Sequence, residues 1–279
     1  MTPPPPIPPA IEPQPAPSQA GTPAPSRTHL VLIPSYNTGR LLLETVRSAR
    51  VLWAPVWVVI DGSTDGSEQS LLALAATDPA LRVIVRPSNQ GKGAAVLHGL
   101  EQALAAGFTH VLTMDADGQH PAALIPAFMR RSMQAPEVMV LGRPVFDASA
   151  PLLRVRGRKV SNAWTDLETL GAGIGDSLFG FRVYPAAALA AVMKRQPWMR
   201  RFDFDTEAVV RLAWRGVKPV NLDAPVKYPR PEDGGVSHFK YGRDNLLLTW
   251  MHTRLMLEFV LRLPLLLARR VLRLPPFQA

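Results

Sequence analysis

In the stretch Val111-Leu112-Thr113-Met114-Asp115-Ala116-Asp117-Gly118-Gln119-His120-Pro121 an apolar run stops at two carboxylates spaced i, i+2. On extended backbone, residues two apart point to the same side. Asp115 and Asp117 can therefore converge on one hard divalent cation at the C-terminal end of a strand. Gln119 adds a neutral oxygen, and such an all-oxygen set suits Mg²⁺ or Mn²⁺. Open α/β sheets bind ligands at that edge, where a divalent ion can hold a diphosphate and neutralise it as it leaves. For Asp117 alone, capping the helix that starts near Pro121 would be the default. His120 is expected to shape the turn rather than to ligate.

Other segments carry residue types suited to the same task. Asp61 ends an apolar run and is followed by Gly62-Ser63-Thr64-Asp65-Gly66-Ser67. Glycines let backbone approach a ligand closely, and a carboxylate there can accept hydrogen bonds from a nucleobase edge or a ribose. Asp65 has a second reading as a helix cap. Gly91-Lys92-Gly93 opens a helical stretch; residue 86 is Arg and no Ser or Thr follows Lys92, so this is no Walker loop. Backbone donors and a lysine at a helix start can still meet an anion. Arg143 and Arg158 offer guanidinium forks suited to phosphate oxygens; a solvated face or contact with lipid headgroups is the competing reading. Asp205 and Glu207, in Phe204-Asp205-Thr206-Glu207, are candidate general bases. A hydroxyl acceptor needs a base, whereas a phosphate acceptor is already an anion. His238 can touch a diphosphate or an acceptor, or be structural.

These residues need a scaffold that brings strand ends together. Short β-rich runs (30–33, 56–60, 82–85, 110–114, 138–141) alternate with helix-like stretches (40–52, 67–76, 92–106, 121–133). That alternation predicts a mostly parallel sheet with crossover helices. Beyond residue 143 the spacing predicts a basic helix carrying Arg154, Arg156, Arg158 and Lys159, which ends at Gly171-Ala172-Gly173-Ile174-Gly175. A strand over 179–184, helices over 185–195 and 204–215, a cap at Gly216, and two short strands over 217–220 and 225–228 follow.

Four segments stand in the order and spacing found in family 2 glycosyltransferases: Ile33-Pro34-Ser35-Tyr36-Asn37, Ile60-Asp61-Gly62-Ser63-Thr64-Asp65-Gly66-Ser67, Asn89-Gln90-Gly91-Lys92-Gly93-Ala94-Ala95, and the segment around Asp115 and Asp117. The chain most resembles the dolichyl-phosphate (polyprenyl-phosphate) sugar synthase branch, mannosyltransferases among it, closely over 29–121 and less so over 140–228. The resemblance implies a GT-A (nucleotide-diphospho-sugar transferase) fold and an inverting, metal-dependent transfer from an NDP-sugar, UDP- or GDP-linked, to a lipid-linked acceptor such as a polyprenyl phosphate. It implies that Pro34, Tyr36, Asn37, Asp61, Lys92 and Asp115 border the nucleotide, and that Asp115, Asp117 and Gln119 hold the metal. It further implies that Arg143 and Arg158 hold the acceptor phosphate. Two departures stand out: Ile60 replaces the first of two adjacent acids, and Phe179 precedes Gly180 where a small residue is usual. Gly175-Asp176-Ser177-Leu178-Phe179-Gly180-Phe181-Arg182 otherwise follows the family's Asp-x-x-x-Gly-Phe-Arg segment. A sugar-phosphate nucleotidyltransferase would carry a Gly-rich basic loop where Pro34-Ser35-Tyr36-Asn37 stands. A hydroxyl acceptor on a glycolipid, polysaccharide or pigment-like lipid, and a non-catalytic membrane-surface module, stay open.

Composition sets the rest. At 279 residues with net charge +9 and no cysteine, the chain fits one large domain with appendages and excludes disulfide and thiol chemistry. Residues 1–26 are mostly Pro, Ala, Ser and Gln with a single charge, Glu12, and read as a disordered tail without a secretory signal. The catalytic domain is expected over 27–236, and residues 237–279 as a membrane-associated helical segment. Seven Lys/Arg face two acids from His238 onward, among many leucines, which speaks for an anionic membrane surface and against nucleic acid. Arg254, Glu258 and Arg262 form a narrow polar stripe, and Pro264 is expected to kink or break the helix, giving an amphipathic pair. A peripheral protein on the cytoplasmic side of the cytoplasmic membrane is the expected setting, serving cell-envelope biosynthesis.

Overall fold

The computed structural model describes residues 23–146, 152–226 and 241–272. Among the described residues seven strands, β1 (His29–Ser35), β2 (Val56–Asp61), β3 (Leu81–Arg86), β4 (His110–Thr113), β5 (Met139–Val145), β6 (Arg182–Pro185) and β7 (Pro219–Pro225), form one sheet in the order β3-β2-β1-β4-β6-β5-β7. The first four run parallel, with Val31 opposite Val56 and Leu30 opposite Val111. β6 enters between β4 and β5 antiparallel to both, and β7 continues the sheet parallel to β5. Among the described residues, seven α-helices lie between the strands, α1 (Leu41–Leu52), α2 (Ser67–Ala75), α3 (Lys92–Ala105), α4 (Ile125–Gln134), α5 (Leu152–Glu168), α6 (Ala186–Arg195) and α7 (Phe204–Trp214), and α8 (Tyr241–Leu272) follows β7.

The two-residue period of β1 explains the layers. Leu30 and Leu32 point to one face and pack with Val96 and Leu100 of α3, Leu189 of α6 and Leu212 of α7. Val31 and Ile33 point to the other and pack with Leu42 and Val46 of α1, Leu71 of α2 and Phe128 of α4. A strand covered on both sides has no polar face, which is why these runs are continuously apolar. The strand ends that carry Asp61 and Asp115 then open on one edge.

Two expectations are corrected. The residues read as two short strands around 217–228 form a single strand, Pro219–Pro225, with residues 227 and 228 outside the described residues. Pro264 does not break the C-terminal helix: α8 runs from Tyr241 to Leu272 as one element. α8 docks through Met251, Leu255 and Phe259 on Val210 and Trp214 of α7. A chain of hydrogen bonds, Glu168 Oε1 to His252 Nδ1 (2.9 Å) and His252 Nε2 to Ser161 Oγ (3.0 Å), ties it to α5. The polar stripe does not simply face water. Arg254 reaches Glu207 (3.1 Å) and Glu258 accepts from Arg211 (2.6 Å), so its members straddle the α7–α8 seam. Leu257, Val260, Leu261, Val271 and Leu272 are left exposed. Among the described residues, no helix is long and apolar enough to cross a membrane.

Candidate active site

Four elements that are distant in sequence converge at the C-terminal end of β4. Lys92, the first residue of α3, extends its ammonium between two carboxylates, at 2.6 Å from Asp115 Oδ1 and 2.6 Å from Asp205 Oδ2. Burial works against the charge on Lys92, but the two aspartates outweigh it and hold the ammonium protonated well above the usual lysine range. Burial likewise works against the Asp115 carboxylate, and Lys92 reverses the balance, holding it below its ordinary value. Asp205 goes the other way: burial pushes it up, and its Oδ1 is buried without a hydrogen-bond partner.

Backbone makes this approach feasible at two glycines. Gly91 adopts φ +102°, and a Cβ there would stand 2.3 Å from the Arg200 carbonyl, so the start of α3 lies directly against the segment before α7. Gly180 lets Lys92 pass: a Cβ would stand 2.8 Å from Nζ and 3.1 Å from Asp115 Oδ2. Gly180→Ala should therefore displace the lysine, lowering kcat/KM about tenfold or more with little change in melting temperature; unchanged kinetics would show that Lys92 needs no fixed seat.

Asp117 lies two residues from Asp115 and takes the Gln119 amide on Oδ1 at 3.1 Å. Burial, then the charge of Asp115, push it up to about 6. Two carboxylates that repel each other just beyond a strand end fit a divalent cation, whose charge would offset that repulsion. Among the described residues no group of three His, Cys, Asp or Glu gathers to hold a metal. A cation here would thus depend on water and on substrate oxygens to complete its shell, as Mg²⁺ commonly does. His120 shapes the turn. Its Nδ1 accepts from the Asp115 amide at 2.9 Å, which leaves the proton on Nε2, 3.5 Å from Asp115 Oδ2. Burial depresses it to about 4, so the ring is neutral, and it packs edge-on to Phe179 at 4.6 Å.

The other anticipated residues divide. Asn37, at φ +46°, bridges two loops: its amide donates to Ser63 Oγ at 3.0 Å and its Oδ1 accepts from Thr64 N at 2.7 Å. Tyr36 beside it is exposed, whereas Pro34 is buried within β1 opposite Val59. Asp61, read as a direct nucleotide contact, is 2% exposed. Its Oδ1 accepts from Arg86 at 2.5 Å and its Oδ2 from the amides of Gln90 (3.0 Å) and Gly91 (2.7 Å). Both oxygens are thereby engaged in anchoring the loop that delivers Lys92. Asp65 accepts from Ser67 N at 3.1 Å and from Gly39 N at 2.8 Å; the N-cap position of α2 is Gly66, so Asp65 does not cap the helix but ties the turn before it to the loop after β1.

Asp205 and Glu207 part company because residues two apart on a helix face nearly opposite ways. Glu207 is fully buried between Arg211 (2.7 Å) and Arg254 (3.1 Å) and turns away from Lys92, which corrects its reading as a base. Arg158 pairs with Asp176 at 2.7 Å, and Arg143 pairs with Asp223 at 2.5 Å with its Cδ beside Gly175. Both arginines border the loop around Gly175-Asp176. His238 lies outside the described residues.

Sequence reasoning placed Arg182 in the Asp-x-x-x-Gly-Phe-Arg segment but gave it no role. It is wholly buried, donates to Tyr184 Oη at 3.0 Å, to the Asp176 carbonyl at 3.2 Å and to the Asp205 carbonyl, and so binds the loop carrying Asp176 to α7. A charge inside an otherwise apolar strand was the available signal. Asp203, just before α7, is also buried, and burial followed by the charge of Glu207 pushes it up to about 6. A folded-state value above the unfolded one gives stability that is complete below the unfolded pKa and lost as pH rises through about 6. Asp203→Asn should therefore stabilise the fold by about 1–3 kcal/mol near pH 7.5, with a smaller gain at pH 5. Thermal unfolding at both pH values checks this, and an equal gain at both would refute it.

The description "Glycosyl transferase family 2" matches residues 30–190. Undecaprenyl-phosphate mannosyltransferase of Micrococcus luteus is 27% identical over 219 residues, 74% of this chain and 85% of that protein. Polyprenol monophosphomannose synthase of Mycolicibacterium smegmatis is 28% identical over 199 residues, 69% of this chain and 73% of that protein. Among solved structures, glucosyl-3-phosphoglycerate synthase of Mycobacterium tuberculosis, in complex with Mn²⁺, uridine-diphosphate-glucose and phosphoglyceric acid, aligns with a TM-score of 0.57 at 17% identity, covering 82% of this chain and 77% of that one. That last likeness is one of fold, and the fold is GT-A.

Proposed function

The chain belongs to glycosyl transferase family 2, and we propose that it transfers a sugar from a nucleoside-diphosphate donor to a polyprenyl phosphate at a membrane surface. The observation that carries this is the Asp115–Lys92–Asp205 bridge at the strand end, with Asp117 beside it. The two curated relatives, whose names specify undecaprenyl phosphate and polyprenol monophosphate chemistry, support the acceptor class.

Asp115 and Asp117 would hold Mg²⁺ or Mn²⁺, with Gln119 adjacent; when bound, the ion supplies Lewis-acid neutralisation of the departing diphosphate. Lys92 adds a second fixed positive charge in a partly desolvated cleft, where preorganised charge is most effective. Asp61 and Arg86 hold the loop that seats it. Tyr36 and Asn37, on the loops at the end of β1, border the space for the nucleotide. Arg158 and Arg143 flank the acceptor side, where guanidinium forks match a phosphate. A phosphate acceptor attacks as an anion, so Asp205 needs to take no proton and serves to position Lys92.

A second reading has its own observation. Asp205 Oδ1 is unpartnered and the group is pushed up in pKa, features that suit a base for a hydroxyl acceptor. The exposed apolar face of α8 is read as resting on lipid, on the cytoplasmic side, without spanning it. Incubation with UDP-glucose or GDP-mannose and undecaprenyl phosphate in detergent, with and without Mn²⁺, tests the proposal. Formation of a glycosyl phospholipid supports it; transfer only to hydroxyl acceptors moves the assignment to the second reading.

A further inference from the structure

A second, separate site opens where α6, α7 and α8 meet. A cavity of about 350 Å³ is lined by Arg195, Gln196, Trp214, Arg215, Arg262 and Leu265. Arg215 follows Asp205 by ten residues along α7, about 15 Å along a helix axis, so this cavity is no part of the cleft around Lys92. The acids nearby are already engaged. Glu258 gives both carboxylate oxygens to Arg211, at 2.6 and 2.8 Å, and is reached by Arg262 only at 3.5 Å; Glu207 serves Arg211 and Arg254. Among the described residues neither Arg195 nor Arg215 has a salt-bridge partner, and Arg215 Nη1 is buried with no hydrogen bond. Burial, and then the charges of Arg195 and Arg262, disfavour the Arg215 cation. Arg262 is held over the Trp214 ring at 5.2 Å, which fixes its direction.

Arginines at the last turn of a helix are favoured by its dipole, and that accounts for Arg195 and Arg215 singly. It does not account for three guanidinium groups converging on one hollow with a donor left unpaired, which is costly without an anion. We propose that this hollow binds a phosphate-bearing anion, its phosphoryl oxygens among Arg195, Arg215 and Arg262. Leu265 forms the apolar wall and Leu261, 83% exposed, continues it along α8, so the anion would carry an apolar portion on that side. The phosphoryl group can come from a lipid headgroup or from a free phosphate. The proposal is independent of what the site around Asp115 transfers.

Isothermal titration of the full chain with monomeric dihexanoyl phosphatidic acid, and separately with inorganic phosphate, tests it. Arg195→Gln/Arg215→Gln should weaken binding of the occupant about tenfold or more, while circular dichroism and nucleotide binding stay as in the wild type. Binding of phosphatidic acid alone assigns the site to a lipid headgroup; equal binding of inorganic phosphate assigns it to a soluble phosphate. Affinity unchanged in the double variant, or no binding of either probe to the wild type, overturns the proposal. If the double variant does not fold, Arg195→Gln alone, at an exposed position, must weaken binding in the same direction for the proposal to stand.

Discussion

Asp115→Asn is expected to lower sugar transfer by roughly a thousandfold while the protein stays folded. Asp115 is the residue at which three functions meet: it accepts Lys92 at 2.6 Å, faces the neutral ring of His120, and lies two residues from Asp117. An amide keeps the shape and removes the charge. Lys92 would then lean wholly on Asp205, and a divalent ion would lose one of its two carboxylates. The loss should appear in kcat/KM, and nucleotide titration with Mn²⁺ should lose its metal dependence. Chelation of the wild type should mimic the variant, and Mn²⁺ should restore only the wild type. Transfer within tenfold of wild type in Asp115→Asn would remove this cluster from the chemistry.

The second large effect concerns stability. Glu207→Ala is expected to cost about 3–5 kcal/mol, because it removes one partner of a buried ionic network and leaves its cations behind. Glu207 is fully buried, with Arg211 Nε at 2.7 Å and Arg254 Nη2 at 3.1 Å. Arg211 keeps Glu258, but among the described residues no other carboxylate forms a salt bridge with Arg254, whose Nε is already without a partner. Because Arg254 belongs to α8, the damage should fall on that helix. Tryptic cleavage after Arg254 and Arg262 should accelerate well before the sheet unfolds. A loss below about 1 kcal/mol would mean that the pair behaves like a surface salt bridge, and that Met251, Leu255 and Phe259 hold α8 without it.

Both expectations rest on contacts that differ in how far the chain itself announces them. Asp115 and Asp117 were legible because their relation is local: an apolar run stops at two acids two residues apart. The strand period used to pair them does not reach them, since β4 ends at Thr113 and Asp117 lies in the turn that follows. β1 to β4 and the helices between them were legible because their periods repeat over short windows. Asp205 was legible as a candidate but its partner was not. Lys92 stands 113 residues earlier, and only the packing of α3 against the segment before α7, at Gly91 and Arg200, brings the two within 2.6 Å.

What sequence alone determined is therefore the parallel α/β half of the sheet, its open edge and the acidic pair at the end of β4. Tertiary structure decided the rest. β6 enters antiparallel beside β4, which carries buried Arg182 to Asp205 and Gly180 to Lys92. Asp61 turns inward to Arg86 and the Gly91 amide instead of outward to a ligand. Most of all, the stripe of Arg254 and Glu258, whose spacing shows only that the two share a face, closes on Glu207 and Arg211 of α7. Helical periodicity says which residues share a face, but whether that face meets water or a complementary charge depends on the neighbouring helix. That neighbour is set by the whole fold, and no local window contains it.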